Sequence, residues 1–116
     1  MRHRESNLQI QCVRWFRLQY PKYGKLLFAV PNGGYRNKVE AGIMKAEGVV
    51  SGVADLILLV PSKGFNSLCV EMKTDKGRQN ENQKEWQNEA ENVGNAYKIC
   101  RSVDDFMNEI NGYLNA

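Results

Sequence analysis

Three charged residues stand at the ends of two apolar runs in residues 52–73, GVADLILLVPSKGFNSLCVEMK. Asp55 opens the first run, and Glu71 and Lys73 close the second. Two carboxylates that can converge beside an ammonium suit one chemistry well. Mg²⁺ and Mn²⁺ are hard cations that prefer oxygen ligands and retain water. A cation held that way activates water and neutralises charge on a phosphodiester. The ammonium can orient the water or stabilise the transition state, where preorganised positive charge is most useful. This is the logic of a metal-dependent nuclease. The bare pattern of an Asp followed by Glu-x-Lys is also common as a salt-bridged strand end, so the surrounding elements have to carry the argument.

In a strand, Glu71 and Lys73 lie two apart and share a face, while Met72 points the other way. The connection PSKGFN is too short for a crossover helix, so the two runs, 55–60 and 67–73, must pair as an antiparallel hairpin. Asp55 shares the Glu71 face only if its cross-strand partner is odd-numbered. Pairing Val60 with Leu68 meets that condition and sets Asp55 opposite Lys73, diagonal to Glu71 at roughly 7–8 Å. Both strands are apolar on both faces, which places the hairpin inside the sheet with helices above and below.

The remaining elements follow from periodicity and punctuation. Leu8, Cys12, Trp15 and Phe16 at helical spacing predict a helix over 5–20, stopped by Pro21 and Gly24. KLLFAV (25–30) predicts a strand, PNGGYRN (31–37) a loop, and 38–48 a modest helix closed by Gly48. Asn80 caps a helix that ends near Gly94, AYKIC (96–100) is a short strand, and Ser102 caps a final helix. In that helix Val103, Phe106, Met107, Ile110 and Leu114 form an apolar stripe. The order α-β-α-β-β-α-β-α over a single domain, residues 1–116, argues for a mixed sheet and against a purely parallel, doubly wound one.

Bulk properties narrow the function classes. Hydrophobic content of 42% and charged content of 25% are those of an ordinary soluble domain. The longest apolar run, 56–61, is far too short to span a bilayer, and the start has no apolar leader. Cys12, Cys69 and Cys100 are scattered and form no CxxC pair, so they read as small buried hydrophobes in a reducing cytoplasm. His3 reads as a passive terminal residue, and Trp15 and Trp86 as core. No Walker A stretch or strand-borne GxGxxG points to a nucleotide cofactor. Net charge is +3, but residues 1–45 hold nine Lys and Arg against Glu5 and Glu40, an asymmetry that suits a polyanion. Within that half, Arg36 and Lys38 beside the PNGG turn could contact phosphates.

With this neighbourhood included, the chain resembles the virus-type replication–repair nuclease (VRR-NUC) domain family of the PD-(D/E)xK superfamily. The resemblance rests on ESNLQ, on PNGGYRNKVEAGIMKAEGVVSGVADL and on VEMKTDKGRQNENQKEWQNEAENVGNAYKICRSVDDF. These hold a helix-borne Glu5, the G-x-x-x-G-x-x-D-L segment from Gly48 to Leu56, the Glu71–Lys73 triplet, then Arg78 and Gln83. Ala54 stands where the family usually has Pro, and Gln79–Asn80 where it commonly has Leu-Ser; neither exchange removes a chemical group.

The resemblance implies a three-layer α/β/α restriction-endonuclease-like fold with a central mixed sheet. It implies Asp55 and Glu71 as ligands for Mg²⁺ or Mn²⁺, Glu5 as an additional carboxylate reaching the metal directly or through water, Lys73 as the catalytic lysine, and Gln83 near the site. Arg78 could clamp a DNA strand, and Lys76 and Arg14 are further candidate DNA contacts. Small stand-alone members resemble Holliday-junction resolvases, which act as homodimers. The expectation is therefore a divalent-metal-dependent, structure-selective endonuclease on branched DNA, in the cytoplasm of a bacterium or phage-infected cell. Two alternatives compete: a non-catalytic nucleic-acid-binding module that keeps the fold, and a metal-dependent RNA nuclease.

Overall fold

The structure is a computed structural model that describes residues 2–31 and 37–115, with side chains from Arg4 onward. The elements run α1 (Arg2–Gln19), a 3-10 turn (Pro21–Tyr23), β1 (Leu27–Ala29), α2 (Lys38–Ala46), β2 (Leu56–Leu58), β3 (Leu68–Met72), α3 (Glu81–Asn92), β4 (Ala96–Cys100) and α4 (Val103–Leu114). This is the order read from the sequence, with β1 and β2 shorter than expected and α1 beginning three residues earlier. The PNGGYRN loop falls mainly on residues 32–36, and with Arg36 it lies outside the described residues.

The four strands form one sheet in the order β1-β2-β3-β4. β1 and β2 pair antiparallel, as do β2 and β3, and β4 runs parallel to β3. The apolar hairpin thus occupies the two central positions. Alternation along β3 sorts its side chains into two layers. Leu68, Val70 and Met72 join Cys12 and Phe16 of α1 and Phe106, Ile110 and Tyr113 of α4 in the main core. Cys69 faces the opposite side with Ala54 and Tyr97, against Trp86 of α3. Three layers result: α1 and α4, the sheet, and α3.

The hairpin register differs from the expected one. Leu56 pairs with Val70 and Leu58 with Leu68, so Val60 does not pair with Leu68. The ladder stops at Leu58; beyond it the Val60 carbonyl accepts the Tyr113 hydroxyl at 2.6 Å, and the Val60 side chain joins the main core. The tip closes farther out as a two-residue turn, with Ser62 and Phe65 bridged and Lys63 and Gly64 both at positive φ, 52° and 87°. The shift is two residues, so parity survives: continuing the register sets Asp55 beside Glu71, still on the face shared with Lys73.

The cysteines are free and buried, as small hydrophobes should be. Burial pushes the Cys12 thiol up to about 11 and the Cys100 thiol up to about 12. Trp15 packs edge-on against Phe106, centroids 6.0 Å apart, and so belongs to the core as expected. α2 is the exception to this packing. Asn37 caps it through the Glu40 N–H at 2.8 Å, yet none of its residues is buried and Val39 and Ile43 are exposed. No helix among the described residues is long and apolar enough to cross a membrane.

Candidate active site

The α3 face of the sheet carries the charged strand ends. Glu71 is 1% exposed, a carboxylate in the middle of the protein. One oxygen, Oε1, accepts the hydroxyl proton of Tyr97 from the neighbouring strand. The other, Oε2, has no hydrogen-bond donor. Lys73 Nζ stands 3.2 Å from it, close enough to pair electrostatically but off the line of a hydrogen bond. The ammonium offsets part of the cost of desolvating this oxygen, which still lacks a hydrogen bond.

Asp55 sits at the mouth of β2, half-buried, and its Oδ2 accepts the Met72 N–H at 2.7 Å. The backbone between Glu71 and Lys73 therefore holds Asp55 in place. Burial raises the Asp55 carboxyl above the usual range, and the Met72 N–H partly offsets that. The negative charges of Glu71 and Glu5 raise it further, and Lys73 lowers it. A nearby cation would favour the ionised form of this carboxyl. Glu5, in the first turn of α1, is thus near enough to act on Asp55 by charge. Among the described residues, no three His, Cys, Asp or Glu side chains converge closely enough to hold a metal on their own. Asp55 and the orphaned Glu71 oxygen fit a divalent cation that keeps water in its other positions, which is the habit of Mg²⁺.

Lys73 is positioned by the first turn of α3. Its Nζ donates to Gln83 Oε1 at 3.2 Å, and the same oxygen accepts the Asn80 N–H at 2.9 Å. Asn80 in turn accepts the Gln83 N–H, so a helix-capping box doubles as the rest for the lysine. The box is fixed against the segment before Asp55 by Gly52, at φ 92°. A Cβ there would lie 2.4 Å from the Asn82 carbonyl oxygen, so only glycine allows the approach. This gives the Gly48–Leu56 motif a physical reading beyond its aspartate.

The basic positions are divided. Lys76 and Arg78 are exposed on the loop after Lys73, which turns back over it: a Cβ on Gly77 would be 3.2 Å from Lys73 Cδ. Lys38 is exposed at the start of α2. Arg14 is exposed on α1, about 14 Å along the helix from Glu5 at 1.5 Å per residue. Arg36 lies outside the described residues.

Three residues have roles at the site that the sequence reading did not assign. Tyr97 holds Glu71; burial and that carboxylate push its hydroxyl well above the ordinary range, which keeps the proton on it. Gln79 donates to Gln87 Oε1 at 2.9 Å and to the Tyr97 oxygen at 3.4 Å. Arg101 Nη1 donates to the carbonyls of Thr74 and Gly77 at 2.8 Å each and of Asp75 at 3.3 Å, bracing the loop that carries Lys76 and Arg78. The parity of AYKIC allowed Tyr97 on the Glu71 face, but only the parallel register, Cys69 beside Tyr97, puts it there.

The family model described as the VRR-NUC domain matches residues 2–104. A solved structure described as "VRR_NUC domain protein" superposes with a TM-score of 0.83 at 22% identity, covering 95% of this chain and 87% of that chain. At that identity the likeness establishes the fold. Among curated proteins there is no match.

Proposed function

Since this chain belongs to the VRR-NUC domain family, a family of nuclease fold, we propose that it is a divalent-metal-dependent, structure-selective DNA endonuclease acting on branched DNA such as a Holliday junction. The observation that carries the reading is the convergence of Asp55, Glu71 and Lys73 on one sheet face, with a Glu71 oxygen buried and without a donor. Asp55 and Glu71 would hold Mg²⁺ or Mn²⁺, with Glu5 as an additional carboxylate reaching it directly or through water. When bound, the cation supplies an activated water and neutralises charge on the phosphodiester.

The chain's own groups account for the rest. Met72 N–H aims the Asp55 carboxylate, and Tyr97 aims that of Glu71. Gln83 steadies the Lys73 ammonium, whose fixed positive charge meets the charge that develops on the phosphorus oxygens as water attacks and the P–O bond breaks. Lys76 and Arg78 flank the site for backbone contacts that read shape over sequence, with Lys38, Arg36 and Arg14 as further basic positions. A homodimer would present two such sites to two strands of a junction, and the exposed apolar residues Val39 and Ile43 of α2 suit a surface for the partner copy. The setting is replication or repair in the cytoplasm of a bacterium or phage-infected cell.

The test is cleavage of a labelled four-way junction and a matched linear duplex with Mg²⁺, Mn²⁺ or EDTA. Wild-type protein should cut the junction in a metal-dependent way, and Lys73→Ala should bind the junction but lose at least about a hundredfold in rate, the scale of one lost electrostatic stabiliser. Equal cutting of junction and duplex would remove structure selectivity. Tight binding without cutting in either metal would replace the nuclease with a binding module.

A further inference from the structure

Glu71 has two carboxylate oxygens in different circumstances, and Tyr97 is the reason. The Tyr97 hydroxyl has one proton, and that proton is committed to Glu71 Oε1. Its direction is enforced from behind. Gln79 Nε2 donates to the Tyr97 oxygen and to Gln87 Oε1, and Gln87 Nε2 donates to Glu91 Oε2 at 3.4 Å. Gln79, just before the Asn80 cap, and Gln87 on α3 are each oriented by an acceptor, so the tyrosine oxygen receives a donor and its own proton is directed to Glu71. The ring is held as well, packed at 6.2 Å from Trp86 and 5% exposed. Oε1 thus has one lone pair committed to the tyrosine, whereas Oε2 has no hydrogen-bond donor and faces only the Lys73 ammonium at 3.2 Å.

We propose that Tyr97 is a positioning residue that limits Glu71 to a single metal-binding oxygen and so makes the site favour small, octahedral cations over Ca²⁺. The proposal rests on the metal-site reading above. The chemistry is that of the cations: Mg²⁺ takes near-ideal octahedral geometry at about 2.0–2.1 Å, whereas Ca²⁺ accepts 6–8 oxygens and readily takes a carboxylate through both. Partners behind a metal ligand commonly change metal affinity by about 10–100-fold when removed.

The experiment titrates Mn²⁺ and Ca²⁺ separately into wild type, Tyr97→Phe and Asp55→Asn, by calorimetry with no DNA present. Circular dichroism verifies folding. Wild type should bind Mn²⁺ more tightly than Ca²⁺, and Asp55→Asn should bind neither. Tyr97→Phe, which keeps the ring on Trp86, should release Oε1 and lower the Mn²⁺-over-Ca²⁺ preference by about tenfold, with Ca²⁺ binding itself tightened. Gln79→Leu, which frees the hydroxyl to turn without touching the ring, should shift the ratio the same way by a smaller factor; it also serves if Tyr97→Phe does not fold. Unchanged preference in the folded variants would overturn the inference while leaving the metal site standing. Mn²⁺ binding that is absent from wild type, or untouched by Asp55→Asn, would overturn the metal-site reading itself.

Discussion

On the face of the sheet covered by α1 and α4, Phe16, Leu27, Leu56, Leu58, Val70, Met72, Phe106 and Ile110 are sealed from solvent, and no buried charge interrupts them among the described residues. On the face covered by α3, the buried apolar set shrinks to Ala54, Cys69 and Tyr97, and a carboxylate lies beside it with an oxygen unsatisfied. One strand, β3, feeds both. Leu68, Val70 and Met72 go to the first face, Cys69 and Glu71 to the second. The contrast is a division of labour: burial of apolar area on one side, at roughly 25 cal/mol per Å², offsets a desolvated acidic site on the other. A polar strand end would be cheaper for stability, but it would not pair with the Lys73 ammonium.

The sharpest way to break this comparison is to injure each face separately. Phe16→Ala, a cavity in the large core, should cost about 3–5 kcal/mol in urea unfolding, enough to threaten the fold outright. Asp55→Asn should abolish cleavage and leave the metal-free protein at least as stable as wild type. The sign follows from the raised carboxyl: the ionised form is disfavoured on folding, so a neutral amide that can still accept the Met72 N–H relieves a penalty. A large loss of stability in Asp55→Asn would mean the acidic face also supports the fold.

A smaller effect probes the seam between the α3 layer and the sheet. Gly52→Ala combines a left-handed backbone at φ 92° with a Cβ 2.4 Å from the Asn82 carbonyl. Strain of about 1–3 kcal/mol is expected. The displaced first turn of α3 carries Gln83, so single-turnover cleavage should fall more than the stability loss alone explains. If activity per folded molecule is unchanged, the capping box is not what steadies Lys73. The smallest effect lies away from both faces. Gly42, inside α2, has open space around its Cβ position, and Gly42→Ala should add about 0.5–1 kcal/mol to unfolding free energy with cleavage unaltered.

Much of the molecule could be read in the chain itself. Period-2 and period-3.6 patterns gave the eight major elements in order. The short PSKGFN connection made β2 and β3 antiparallel, and the odd spacing of Asp55, Glu71 and Lys73 assigned them to one face, because side chains on a strand alternate with a period of two. Parity is local, so it survived a two-residue error in register. The register itself was not local. The end of the hairpin meets partners far along the chain: the Tyr113 hydroxyl, 53 residues away, donates to the Val60 carbonyl, and the Asn66 N–H donates to the Gly94 carbonyl. Tyr97, Gln79 and Arg101 were silent for the same reason: a hydroxyl, an amide and a guanidinium acquire their roles from the partners that packing brings within hydrogen-bond reach. The sequence determined which groups this protein has for its chemistry and which side of a strand they occupy. The tertiary structure alone decided which Glu71 oxygen is hydrogen-bonded, which is left to the lysine charge, and what keeps the lysine beside it, because those partners meet only on folding.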